Sequence, residues 1–113
     1  MAESCELHVQ NRDALVATPS AAKASDTIEV AWQVHSVPAH ARNWIGVFRV
    51  DETNNRKYLT YQFVQCEKDA ARSSFDLSKL NGLSVGDELE LRFFERGSYN
   101  KNDIRSNRIK IVE

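Results

Sequence analysis

Cysteine is scarce in this chain: the 113 residues hold two, Cys5 and Cys66, far apart in flanking or loop-like sequence. Neither a C-x-x-C nor a Cys/His metal pattern accompanies them, so the thiols are expected to be free and the compartment reducing. Charge of one sign is also missing. Fifteen basic residues against 16 acidic ones leave a net charge of −1, which argues against a general nucleic-acid binder. The longest apolar run is far too short to cross a bilayer, so no transmembrane segment is expected. The first residues, Met-Ala-Glu-Ser-Cys-Glu, are acidic and polar where a signal peptide is basic and then apolar. Ala2 stands where myristoylation needs glycine, and the final residues form no CaaX box. These readings set the expectation of a cytoplasmic protein. Internal repeats, low-complexity tracts and a G-x-S-x-G elbow are all lacking.

What is present is β-strand pattern. The richest stretch is Asn43-Trp44-Ile45-Gly46-Val47-Phe48-Arg49-Val50. It is apolar on both phases of the pleat, with Trp44, Phe48 and Val50 on one side and Ile45 and Val47 on the other. Such a strand belongs in the middle of a packed sheet. Gly46 leaves room for a neighbouring backbone or ring. Thr27–His35 alternates cleanly, with Ile28, Val30, Trp32 and Val34 facing one way. Asp87–Phe94 does the same, with Leu89, Leu91 and Phe93 inward and Glu88, Glu90 and Arg92 outward. Leu7–Val9 and Leu15–Ala17 suggest a broken first edge strand. Arg56–Val64 reads as an aromatic strand, Ser73–Leu77 as a brief one, and Arg105–Val112 as the last, with Ile109 and Ile111 inward. Cys66–Arg72 is an uncapped candidate helical turn. Thr18–Asp26, Ser36–Arg42, Asp51–Asn55, Ser78–Gly86 and Arg96–Asp103 are expected loops.

Seven to eight short strands with turn signals between them predict an all-β sandwich or barrel occupying residues 1–113 as a single domain. The inter-sheet disulfide of antibody domains is not available, because Val30/Trp32 and Leu91/Phe93 occupy the places of its cysteines. The chain stops just behind its last strand, so it is expected to be the N-terminal domain of a longer protein.

The sequence resembles the SKICH domain, in this chain as a distant member. The resemblance rests on Ile28-Glu29-Val30-Ala31-Trp32 and on the Asn43–Val50 stretch with its Trp, Gly, aromatic and basic order. It continues through Arg56-Lys57-Tyr58-Leu59-Thr60-Tyr61, Gly86–Phe93 and Ser106-Asn107-Arg108-Ile109. Two departures stand out: Leu59 and Thr60 separate Tyr58 from Tyr61, and Leu89 occupies a position that is commonly tyrosine. The family includes modules of coiled-coil autophagy receptors and inositol-polyphosphate 5-phosphatases. The resemblance implies an all-β, immunoglobulin-like β-sandwich of seven to eight strands, acting as a non-enzymatic recruitment module of a scaffold or adaptor, with a protein partner and no cofactor. The alternatives are a membrane-targeting module that binds anionic phosphoinositide through a basic hairpin, and an accessory domain of a hydrolase.

Candidate sites follow from side-chain chemistry. Trp32 and Trp44 both fall on phases read as inward, so they are expected in the core between the sheets. His8, His35 and His40 are too scattered for a metal site. Asp51, Glu52 and Asp103 offer too few oxygens for a calcium shell of roughly six to eight ligands. Basic residues gather as Arg49, Arg56 and Lys57, and again as Arg96, Lys101, Arg105, Arg108 and Lys110. The second group suits an anionic headgroup or an acidic partner, although Glu95, Asp103 and Glu113 weaken its field. Tyr99, next to that group in the Arg96–Asp103 loop, is the aromatic candidate for a partner hot spot. The expected partner-binding residues are therefore Arg96, Tyr99, Lys101, Arg105 and Arg108.

Overall fold

Alternation with a period of two places every second side chain on one face, and the core follows that rule. In chain order the strands are β1 (Ser4–Cys5), β2 (Ala14–Thr18), β3 (Ala21–Lys23), β4 (Thr27–Pro38) and β5 (Trp44–Arg49). They continue with β6 (Thr60–Phe63), β7 (Arg72–Asp76), a 3-10 turn at Leu77–Lys79, β8 (Glu88–Phe94), β9 (Ile104–Arg105) and β10 (Ile109–Val112). The structure is a computed structural model that describes residues 4–5, 14–38, 41–64, 72–99 and 104–113, with side chains described for 14–32, 41–64, 72–99 and 104–113.

One sheet is built on β4, which pairs with β1, β2 and β7. The other runs β3-β10-β8-β5-β6, with β9 also paired to β8. Ile28, Val30 and Trp32 from the first sheet meet Ile45, Val47, Leu89, Leu91, Phe93, Ile109 and Ile111 from the second in one buried cluster. Each fully buried aliphatic of this kind contributes ~1.5–3 kcal/mol. This is an all-β immunoglobulin-like sandwich, as the resemblance implies, and it decides between the sandwich and the barrel that the alternation left open. Among the described residues there are ten strand segments, of which β1 and β9 are only two residues long.

The two layers are tied at their margins by side chains. The Asn107 carboxamide accepts from the Ala17 amide at 2.8 Å and donates to the Ala17 carbonyl at 3.0 Å, so it mimics a neighbouring strand along β2. On the opposite flank, Gln62 of β6 donates to the Ser74 carbonyl of β7 at 2.6 Å.

Several expectations need correction. Trp32 is in the core, but Trp44 is not: it is buried with Phe48 and Phe94 in a separate cluster on the outer face of the second sheet. Both phases of β5 are apolar, and the aliphatic Ile45/Val47 phase faces the core. The Thr18–Asp26 stretch contains β3, which runs parallel to β10 through backbone bonds that small residues leave unobstructed. β4 extends to Pro38, beyond the expected end at His35. The aromatic strand begins at Thr60, so Tyr58 belongs to a loop, and Leu77 opens the 3-10 turn. Leu7–Val9, the Cys66–Ala71 part of the candidate helical turn, His8, His40, Cys66, Lys101 and Asp103 lie outside the described residues, as do the side chains of Cys5 and His35.

Candidate functional site: an aromatic outer face

Register assembles the site. Across the second sheet Phe63, Trp44 and Phe94 lie in one row, and Tyr61, Gly46, Arg92 and Arg105 lie in the next. Gly46 is the gap that makes this possible. A Cβ there would stand 2.8 Å from Phe48 Cε1 and 2.9 Å from Trp44 Cζ3, so both rings fold over its bare backbone. Trp44 stacks on Phe94 with centroids 4.3 Å apart and planes 19° apart. Tyr58, Tyr61 and Tyr99 meet Trp44 edge-on at 5.6, 6.0 and 5.6 Å, a geometry the ring quadrupole favours.

Two loops fold onto this face and hold it. From the loop between β8 and β9, the Ser98 carbonyl accepts the Trp44 indole N–H at 3.0 Å. That loop opens with the turn Glu95–Ser98, whose central residues Arg96 and Gly97 have φ of 55° and 73°. Positive φ at both positions is what a type I′ turn requires. The Asn43 side chain accepts from the Arg96 amide at 3.0 Å, which fixes the turn to the start of β5. From the loop between β5 and β6, buried Asn55 donates to the Tyr99 carbonyl at 3.3 Å and accepts from Arg92 at 2.9 Å. The fully buried Arg92 guanidinium also donates to Glu90 at 2.7 Å and to the Glu52 carbonyl at 2.7 Å. This side of the sheet therefore carries a second, partly ionic core.

On its outer surface the aromatic face is open. Tyr58, Tyr61, Phe63 and Tyr99 are 36%, 43%, 51% and 40% exposed, a concentration of apolar rings that single scattered hydrophobics do not make. Between them lies a depression of about 180 Å³, flanked by Arg42 and floored by Trp44. It is smaller than the ~300–1,000 Å³ pockets that enclose a small molecule. The Arg42 guanidinium is 5.8 Å from the Phe63 centroid and that of Arg56 is 4.5 Å from the Tyr99 centroid. β6 ends its sheet, and among the described residues no strand pairs with its far side.

The expected partner-binding residues separate. Tyr99 belongs to the aromatic face. Arg96 is exposed in the turn beside it. Arg105 is directed at 3.0 Å to Glu90, a carboxylate it shares with the buried Arg92, and Arg108 to Glu88 at 3.3 Å. Lys101 lies outside the described residues. The basic hairpin is thus not a uniform cationic surface. The residues that sequence reasoning missed are Tyr58, Tyr61, Phe63 and Arg42. The available signal was the phase shared by Trp44, Gly46 and Phe48, which marks a face where rings gather. Elsewhere, Asp87 accepts from Arg49 at 2.7 Å. That bond, followed by one from the Ser84 amide, holds the Asp87 carboxyl below its ordinary range. No three metal-ligating side chains cluster among the described residues, and no helix among them is long and apolar enough to cross a membrane.

The sandwich, with its aromatic outer face and a β6 edge that no strand pairs among the described residues, is an all-β immunoglobulin-like module. The SKICH domain family model matches residues 15–95, most of the chain. The chain belongs to the SKICH family, whose members are non-catalytic modules that mediate protein interactions. No curated protein matches it.

Proposed function

We propose that this domain is a recruitment module of a cytoplasmic scaffold or adaptor, and that it engages a protein partner through the outer face of β5 and β6. The observation that carries this reading is the exposed set Tyr58, Tyr61, Phe63 and Tyr99 around the Trp44 floor. Rigid aromatics contribute contact area at low entropic cost and are over-represented among interface hot spots. The acidic residues interleaved with Arg105 and Arg108, Glu90 at 3.0 Å (shared with Arg92) and Glu88 at 3.3 Å, weaken the field of the basic hairpin and count against a phosphoinositide reading.

Site-specific photocrosslinking in cells tests it. A photoreactive phenylalanine analogue replaces Phe63 or Tyr61 in one set of samples, and Val16 or Val85 in another. Val16 and Val85 are 50% and 61% exposed and lie away from the aromatic face. Discrete protein adducts from positions 61 and 63, and none from 16 and 85, are expected. Equal adduct formation at all four positions, or only at the valines, would overturn the assignment.

A further inference from the structure

The strands that end the two sheets differ in how they are closed off. An unpaired edge invites another strand, and folds guard such edges with charge, short length or covering groups. On β2 the Asn107 carboxamide occupies both the N–H and the C=O of Ala17. On β7 the Gln62 side chain donates to the Ser74 carbonyl and accepts from the Ser73 hydroxyl. β1 is two residues long, and β3 is three residues long and carries the exposed Lys23.

Among the described residues β6 has no such guard. The stretch Tyr58–Val64 contains neither a charged residue nor a proline. Tyr61 and Phe63 are exposed. Their backbone orientation follows from the ladder. The Val64 N–H donates to the Asn43 carbonyl at 2.8 Å, one step beyond the Trp44–Phe63 pair. Antiparallel bonding alternates along a strand, so Gln62 also bonds toward β5, and the N–H and C=O of Tyr61 and Phe63 point away from it.

This edge is complementary to itself. A two-fold axis at Gln62, perpendicular to the sheet, lays two β6 strands antiparallel. Tyr61 of each copy then stands opposite Phe63 of the other. These are the positions whose backbone groups point outward, so each facing pair can exchange both of its N–H···O=C bonds. Aromatic pairs across strands are favourable, and Thr60 meets Val64 at either end with no charge opposed. The axis also passes β7 beside Ser74, which Gln62 bonds at 2.6 Å. In the first sheet it turns Arg72 of one copy toward Asp76 of the other, which are opposite charges.

We infer that a second copy of this chain pairs along β6, making an isologous dimer whose second sheet is continuous and whose two aromatic faces lie on the same side. The inference goes beyond recruitment of a partner, because it uses the β6 backbone where recruitment uses the rings.

Sedimentation of the 113-residue chain from micromolar to millimolar concentration, with amide hydrogen exchange at both ends of that range, tests it. A monomer–dimer equilibrium is expected. Exchange at Tyr61 and Phe63 slows as the dimer fills, while Gln62, already bonded toward β5, changes least. Tyr61→Lys places a guarding charge on the edge and weakens dimerisation about tenfold or more, which corresponds to ~1.4 kcal/mol. Phe63→Pro removes an N–H that β5 does not use, as edge strands tolerate, and abolishes the dimer. Val16→Lys, at an exposed position on β2, leaves it unchanged. Each variant is checked for an unchanged melting temperature.

A single monomeric species at millimolar concentration would overturn the inference. So would a dimer whose Tyr61 and Phe63 amides exchange as fast as in the monomer, or one that Val16→Lys weakens as much as Tyr61→Lys. A monomer that still gives photoadducts to other proteins at position 63 would leave the recruitment surface standing and remove only the self-pairing.

Discussion

The Arg92 guanidinium lies 4.3 Å from the centroid of the Phe48 ring, and both side chains are fully buried on the outer face of their sheet. A cation sealed beneath loops in this way needs its donors matched, and Glu90, Asn55 and the carbonyls of Glu52 and Arg49 accept four hydrogen bonds from it. Arg92→Ala leaves the Glu90 carboxylate nine-tenths buried with only Arg105 to answer it. The expected cost is ~3–5 kcal/mol, read from urea unfolding. Arg92→Lys should recover less than half of that, since one ammonium cannot span the positions the planar fork reaches.

Gly46 is expected to tolerate no side chain. Gly46→Ala places a methyl group within 3 Å of both Phe48 and Trp44, and overpacking of this kind costs ~1–3 kcal/mol. The damage should fall on the outer face. Trp44 emission and its indole resonance should change, while those of Trp32, on the other side of the sheet, should not.

How much of this was legible in the sequence depends on the strand. β4 and β8 alternate apolar and polar residues, so Ile28, Val30, Leu89, Leu91 and Phe93 could be assigned to the core from pattern alone. β5 is apolar on both phases, and pattern cannot say which face meets the other sheet. The larger residues suggested Trp44, yet the aliphatic pair Ile45 and Val47 faces the core. The outer face is covered by loops whose residues look like ordinary polar turns. Asn55 and Ser98 do their work through contacts 44 and 54 residues away in sequence. Tyr99 was identifiable as an exposed aromatic. Its company was not, because Tyr58, Tyr61 and Phe63 reach it only through that folding back. β3 was invisible for a different reason: its small residues pair through backbone bonds, which leave no trace in hydropathy.

Asn107→Ala removes both bonds to the Ala17 backbone and leaves that strand margin to water. A loss of ~1–3 kcal/mol is expected, together with faster amide hydrogen exchange at Ala17 relative to the β4–β7 pairs. Unchanged exchange at Ala17 would mean that the carboxamide does not guard β2.

Acid should loosen the Arg49–Asp87 tie. The Asp87 carboxyl is held below its ordinary value of 3.8, first by the Arg49 hydrogen bond and then by the Ser84 amide. A carboxyl whose folded pKa is depressed contributes stability that is fully present above the unfolded value and is lost as pH falls through the folded one. Asp76, held down by the Ser78 hydroxyl and amide, acts in the same direction. The urea midpoint should therefore decline as pH drops below 3.8, and Asp87→Asn should flatten part of that decline.

The central claim is that recruitment runs through the aromatic face and not through the basic hairpin. The most direct measurement compares the subcellular recruitment of the full-length protein carrying Tyr61→Asp with Phe63→Asp against one carrying Lys101→Glu with Arg108→Glu, each checked for an unchanged melting temperature. The account predicts that the first pair abolishes recruitment and the second leaves it intact. Recruitment that survives the aspartates and is lost with the glutamates would contradict it.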